Sequence, residues 1–103
     1  MAQLPLSLDY IRQVLAEYFA DKPVQRVEIF ASYARGEATA ESDLDVLLSR
    51  APDTRMTLFD LGHYKDDLEK ALGIPVDLGT AVSEYVFPYI APELITLYEK
   101  AAA

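Results

Sequence analysis

Phe30-Ala31-Ser32-Tyr33-Ala34-Arg35-Gly36 follows directly on Val24-Gln25-Arg26-Val27-Glu28-Ile29, and ten residues separate Ser32 from Asp43-Leu44-Asp45-Val46. This stretch decides the reading of the fold. Val24 to Phe30 is rich in β-branched and aromatic residues and predicts a strand. Ala31 to Arg35 is small and polar enough for a short helix that Gly36 ends, because glycine accepts the left-handed conformation of a helix terminus. Leu44 to Ser49 predicts a second strand. Its side chains alternate, so Asp43, Asp45 and Leu47 point one way and Leu44, Val46 and Leu48 the other.

Working outward, Ser7 to Ala20 predicts a helix with Leu8, Ile11, Val14, Leu15, Tyr18 and Phe19 on one stripe and Ser7 as its cap. Thr57 to Leu72 predicts another, with Leu58, Leu61, the stem of Lys65, Leu68 and Leu72 along one side and Gly73 as terminator. Ile74 to Gly79 reads as a third strand, which Pro75 confines to a strand start or a sheet edge. Val82 to Ile90 reads as a short helix interrupted at Pro88. Leu94 to Glu99 fits a last helical turn or an edge strand, with the strand favoured, and Ala101 to Ala103 reads as a fraying tail. Residues 1–103 thus predict one α/β (α+β) domain: a small mixed β-sheet flanked by helices.

Composition sets the outer limits. The chain has 103 residues, of which 51% are hydrophobic and 25% charged, which is a globular balance. It has no cysteine, which excludes disulfides and thiolate metal sites. Nine Lys and Arg face 17 Asp and Glu, a net charge of −8, which argues against direct nucleic-acid binding and against docking on an anionic membrane. No apolar run approaches the roughly 20 residues of a membrane span, and Met1 to Leu8 has no basic leader, so the expectation is a cytoplasmic protein.

Three features carry chemistry. Asp43 and Asp45 lie two apart on a strand, about 6–7 Å at Cα, which suits shared magnesium ions and in-line phosphoryl or nucleotidyl transfer. The same triplet also fits a turn followed by a solvent-facing aspartate. Ser32 and Arg35 suit an anion site, or a capping serine and a surface arginine. Asp77 sits between Val76 and Leu78. If its strand neighbours that of Asp45, it completes a cluster of three carboxylates as a base or ligand; otherwise it faces solvent from an edge. His63 reads as a helix-surface residue, and the tyrosines and phenylalanines mostly as packing.

Taken together, Ser-Tyr-Ala-Arg-Gly and Ser-Asp-Leu-Asp resemble the signature of the DNA polymerase β nucleotidyltransferase superfamily, and in particular its minimal members, the MNT or MntA-like antitoxins. The resemblance implies a polymerase β-like nucleotidyltransferase core. It implies that Ala31, Ser32, Arg35 and Gly36 hold the nucleotide, with Arg35 supporting either the phosphates or the loop. It further implies that Asp43, Asp45 and Asp77 are the catalytic residues and ligands of two Mg2+ ions, with ATP as substrate. The expected partner is a HEPN-type toxin in a hetero-oligomer, neutralised when AMP passes from ATP to one of its tyrosines. The family's usual glycine before the serine is Ala31 here. Glycine lets the backbone approach a phosphate, whereas a methyl group restricts φ. This departure sets the alternative expectation: a catalytically weakened module that neutralises its partner by binding alone.

Overall fold

The computed structural model describes residues 4–80 and 84–100. Helix α1 spans Leu8–Phe19, and Ser7 caps it by accepting the Tyr10 N–H at 3.1 Å. Strand β1 spans Val24–Phe30, the one-turn helix α2 spans Ala31–Arg35 and strand β2 spans Leu44–Arg50. Helix α3 spans Leu58–Leu72 and begins with a reciprocal cap. The Thr57 hydroxyl accepts the Asp60 N–H at 3.1 Å, and the Asp60 carboxylate accepts the Thr57 N–H at 2.9 Å. Strand β3 spans Val76–Gly79, helix α4 Phe87–Ile90 and strand β4 Ile95–Glu99, with a 3-10 turn at Ala91–Glu93 leading into β4.

The four strands form one mixed sheet in the order β3-β2-β1-β4. β1 runs antiparallel to β2 and β4, while β2 and β3 are parallel. Leu44, Val46 and Leu48 of β2 turn to the core beneath the helices, as alternation predicts, while Leu47 on the opposite face is buried as well. Together with Val27 and Ile29 of β1 and Val76 of β3, the first three meet Ile11, Leu15 and Phe19 of α1 and Tyr64, Leu68 and Leu72 of α3 in one apolar cluster. The rings of Phe19 and Tyr64 cross edge to face with centroids 5.5 Å apart. The helical layer therefore covers one side of the sheet.

Three expectations need correction. Leu58 is 85% exposed, and Tyr64 takes its place in the buried stripe. At 100° per residue, Leu58 lies about 75° from the centre of the arc formed by Leu61, Tyr64, Leu68 and Leu72, on the first turn of the helix. Pro88 falls in the first turn of α4 and so starts that helix rather than interrupting it. β3 begins at Val76, two residues later than the pattern suggested, with Pro75 ahead of it at the sheet edge. The ambiguous Leu94 to Glu99 segment is a strand from Ile95. The start of the Val82 to Ile90 segment and the Ala101 to Ala103 tail lie outside the described residues. Among the described residues, no helix is long and apolar enough to cross a membrane.

Candidate active site

The sheet brings the sequence-predicted residues to one end of the face opposite α1 and α3. Phe30, Asp45 and Asp77 are successive partners across β1, β2 and β3. Residues paired across neighbouring strands project to the same side, at a strand spacing of about 4.8 Å. Asp77 therefore neighbours Asp45, the condition on which the three-carboxylate cluster depended. The helix α2 starts immediately after Phe30, so Ser32 is delivered to the same corner.

Local contacts fix this corner. The Leu44 N–H donates to the Pro75 carbonyl at 2.9 Å, tying the Asp43–Asp45 segment to the entry of β3. The outer edge of β3 is held by α3. The Val76 N–H donates to Glu69 Oε2 at 2.9 Å, and Lys65 Nζ donates to the Val76 carbonyl at 2.9 Å and to Glu69 Oε2 at 2.7 Å. An edge strand's free backbone groups are thus satisfied by an i,i+4 pair, one residue before Asp77. Ahead of Asp43, the Thr39 N–H donates to the Ser42 hydroxyl at 2.8 Å, so Ser42 does act as turn chemistry.

Electrostatics follow from this crowding. Asp45 is half-buried, while Asp43 and Asp77 are exposed. Burial, then the charge of Asp77, then that of Asp43, push the Asp45 carboxyl above its ordinary range. A cation beside it would relieve all three effects. Among the described residues, no group of three His, Cys, Asp or Glu side chains is disposed as a ready metal cage. The donor chemistry still fits magnesium, which is usually held by one or two carboxylates together with water and substrate phosphates.

The Ala31–Gly36 turn has its own geometry. Ala31 has φ 62° and Gly36 φ 73°, both left-handed. Gly36 closes α2 as predicted, with the Glu37 N–H donating to the Ser32 carbonyl at 2.9 Å. Ala31 thus adopts the backbone that glycine would take, and it does so with a Cβ. The Ser32 hydroxyl has no protein hydrogen-bond partner among the described residues. Arg35 is engaged: Nη1 donates to both Glu93 oxygens, at 3.3 and 3.1 Å, and Nε lies 3.4 Å from Glu37 Oε2. Glu93 Oε1 also accepts the Ala31 N–H at 3.0 Å. Arg35 and the Ala31 amide hold Glu93 below the usual carboxylate range. Sequence reading missed Glu93 because its partners lie 58 and 62 residues away. It missed the Lys65–Glu69 brace as well, although the i,i+4 spacing was there to see.

Beyond Asp45 along the same face, a cavity of about 360 Å³ is lined by Arg26, Glu28, Leu47, Ser49, Thr80, Phe87 and Leu94. Leu47 is two residues from Asp45, about 7 Å along β2.

Residues 8–97 match the nucleotidyltransferase domain family. The chain belongs to that family. This nucleotidyltransferase is 34% identical over 96 residues to an inferred protein adenylyltransferase of Methanocaldococcus jannaschii, covering 86% of this chain and 96% of the relative. A second inferred protein adenylyltransferase of that organism is 40% identical over 77 residues, covering 70% of this chain and 74% of the relative. Among solved structures, a minimal nucleotidyltransferase superposes with a TM-score of 0.72 at 30% identity, covering 90% of this chain and 98% of the other. The nucleotidyltransferase also shares its fold with a chain of a toxin–antitoxin complex with AMP-PNP. There the TM-score is 0.74 at 18% identity, over 86% of this chain and 73% of the other. The same holds for a chain of a complex between tri-AMPylated Shewanella oneidensis HEPN toxin and its MNT antitoxin. That match has a TM-score of 0.69 at 15% identity and covers 90% of this chain and 73% of the other.

Proposed function

We propose that this chain transfers AMP from ATP to a tyrosine hydroxyl of a HEPN-type partner toxin in the cytoplasm, as the antitoxin of a hetero-oligomeric pair. The observation that carries the reading is Asp77 in register with Asp45 beside the Ala31–Gly36 turn. The adenylyltransferase names of the relatives, and the complex of an AMPylated toxin with its antitoxin, support the protein acceptor.

In this reading, Asp43, Asp45 and Asp77 are the catalytic carboxylates and the magnesium ligands. Magnesium, when bound, neutralises phosphate charge and polarises the reacting oxygens. Asp77 takes the proton of the attacking hydroxyl, whose oxygen forms a bond to the α-phosphorus as pyrophosphate leaves. Ser32 offers its unengaged hydroxyl to the triphosphate, with Ala31 and Gly36 shaping the turn and Arg35 bracing it. The cavity beside Leu47 gives the acceptor side chain room on the same face as Asp45.

The alternative, neutralisation by binding alone, rested on Ala31. Its left-handed φ speaks for a preserved turn and so favours catalysis. The test is to incubate the chain with ATP, magnesium and the HEPN-type partner, with mass spectrometry of the partner. Addition of AMP to a tyrosine of the partner is expected. Undiminished transfer by an Asp43→Asn/Asp45→Asn variant would overturn the assignment of those carboxylates.

A further inference from the structure

Two described residues other than glycine have positive φ: Ala31 at 62° and Asp53 at 61°. Aspartate tolerates this region because its short polar side chain can bond locally, and alanine has no such recourse. Something outside the turn must hold Ala31 there. Glu93 is hydrogen-bonded to it. Its Oε1 accepts the Ala31 N–H at 3.0 Å, and both oxygens accept from Arg35, four residues further along the same turn.

The route by which Glu93 arrives is built into the sheet. β4 pairs with β1 from Ile95 opposite Ile29, so the residue two before Ile95 reaches the end of β1 where the turn begins. The 3-10 turn Ala91–Glu93 sets its approach. Pro92 fixes one φ, and the Leu94 N–H closes on the Ala91 carbonyl at 3.3 Å. The Glu93 side chain is only 23% exposed.

We propose that Glu93 is a positioning residue, clamping Ala31 in the left-handed conformation and Arg35 to the loop, and so compensating for the absence of glycine ahead of Ser32. Arg35 is then a fastener shared between Glu93 and Glu37. The Ser32 hydroxyl is the side-chain group of the turn left to meet the triphosphate. This consequence for the nucleotide rests on the function proposed above; the clamp itself does not.

The test uses the full chain with Glu93→Gln, Glu93→Ala, Ala31→Gly and the Glu93→Ala/Ala31→Gly double variant. In adenylyl transfer, Glu93→Ala is expected to raise the KM for ATP about tenfold with little change in kcat, since release of a left-handed alanine depopulates the turn by about that factor. Adding Ala31→Gly should return KM to within about threefold of the parent, because glycine holds the conformation unaided. A general loss of stability would not be repaired in this way. Amide hydrogen exchange gives a readout independent of activity. The Ala31 amide should be protected in the parent and in Glu93→Gln, whose amide oxygen still accepts the bond, and should exchange about tenfold faster in Glu93→Ala. Unchanged Ala31 exchange in Glu93→Ala, or no rescue of KM by Ala31→Gly, overturns the clamp. If the parent transfers no AMP, the function fails and exchange alone decides the clamp. If Glu93→Ala does not fold, Glu93→Asp, whose carboxylate is one methylene short of the Ala31 amide, takes its place: faster Ala31 exchange supports the clamp and unchanged exchange overturns it.

Discussion

Replacing Ala31 by glycine should stabilise the protein, against the usual effect of glycine in a helix. Holding an L-residue in the left-handed region costs about 1–2 kcal/mol, and Ala31 sits there at φ 62°. Glycine removes that strain. It also adds unfolded-state entropy worth about 0.4–1 kcal/mol and forfeits a half-buried methyl worth about 0.3 kcal/mol. The net gain is about 0.5 kcal/mol, a rise in Tm of about 2–4 °C for a chain of this size. The control is Ala34→Gly, in the same short helix α2 but outside the positive-φ region. There glycine should cost about 1 kcal/mol. The two variants should therefore differ by about 1.5 kcal/mol in urea denaturation at pH 7, with Ala31→Gly the more stable. Equal losses in both would mean that Ala31 carries no left-handed strain and would remove the basis of the Glu93 clamp.

Asp45 gives a second sign to test. Its folded-state pKa is raised, first by burial, then by Asp77 and Asp43. Its protonated form therefore favours folding. That contribution is complete below the unfolded value near 3.9 and is lost as pH rises through the higher folded value. Asp45→Asn should therefore raise Tm at pH 7 while abolishing transfer; a lower Tm contradicts the assigned crowding. Magnesium at ten times its Kd should stabilise the parent by about 1.4 kcal/mol, a gain that chelation reverses and that Asp45→Asn diminishes in thermal melts. In the core, Leu48 is fully buried, so Leu48→Ala should lose about 2–5 kcal/mol by urea denaturation. A loss under 1 kcal/mol would place Leu48 outside the packed face.

Much of the site was legible because its residues are close in sequence and their local physics is strong. Alternation placed Leu44, Val46 and Leu48 in the core and left Asp45 on the opposite face, and the structure agrees. Gly36 ended the short helix because few residues accept its backbone. Leu58 shows the limit of residue type, since it is apolar yet lies off the buried arc of α3. Tyr64, with a polar hydroxyl, lies within that arc and is buried.

Most of the elements and the family are legible in the chain alone, because the Ser32 to Asp45 spacing, the period-two pattern of β2 and the stop at Gly36 are all local. Only the closed sheet settles which strand lies beside β2, and hence that Asp77, though exposed on an edge strand, sits in register with Asp45. It also decided that Arg35 and the Ala31 amide turn toward Glu93. The physical reason is range. Periodicity, caps and turns act over a few residues, whereas strand order and ion pairing across some sixty residues arise only once the sheet has closed around its core.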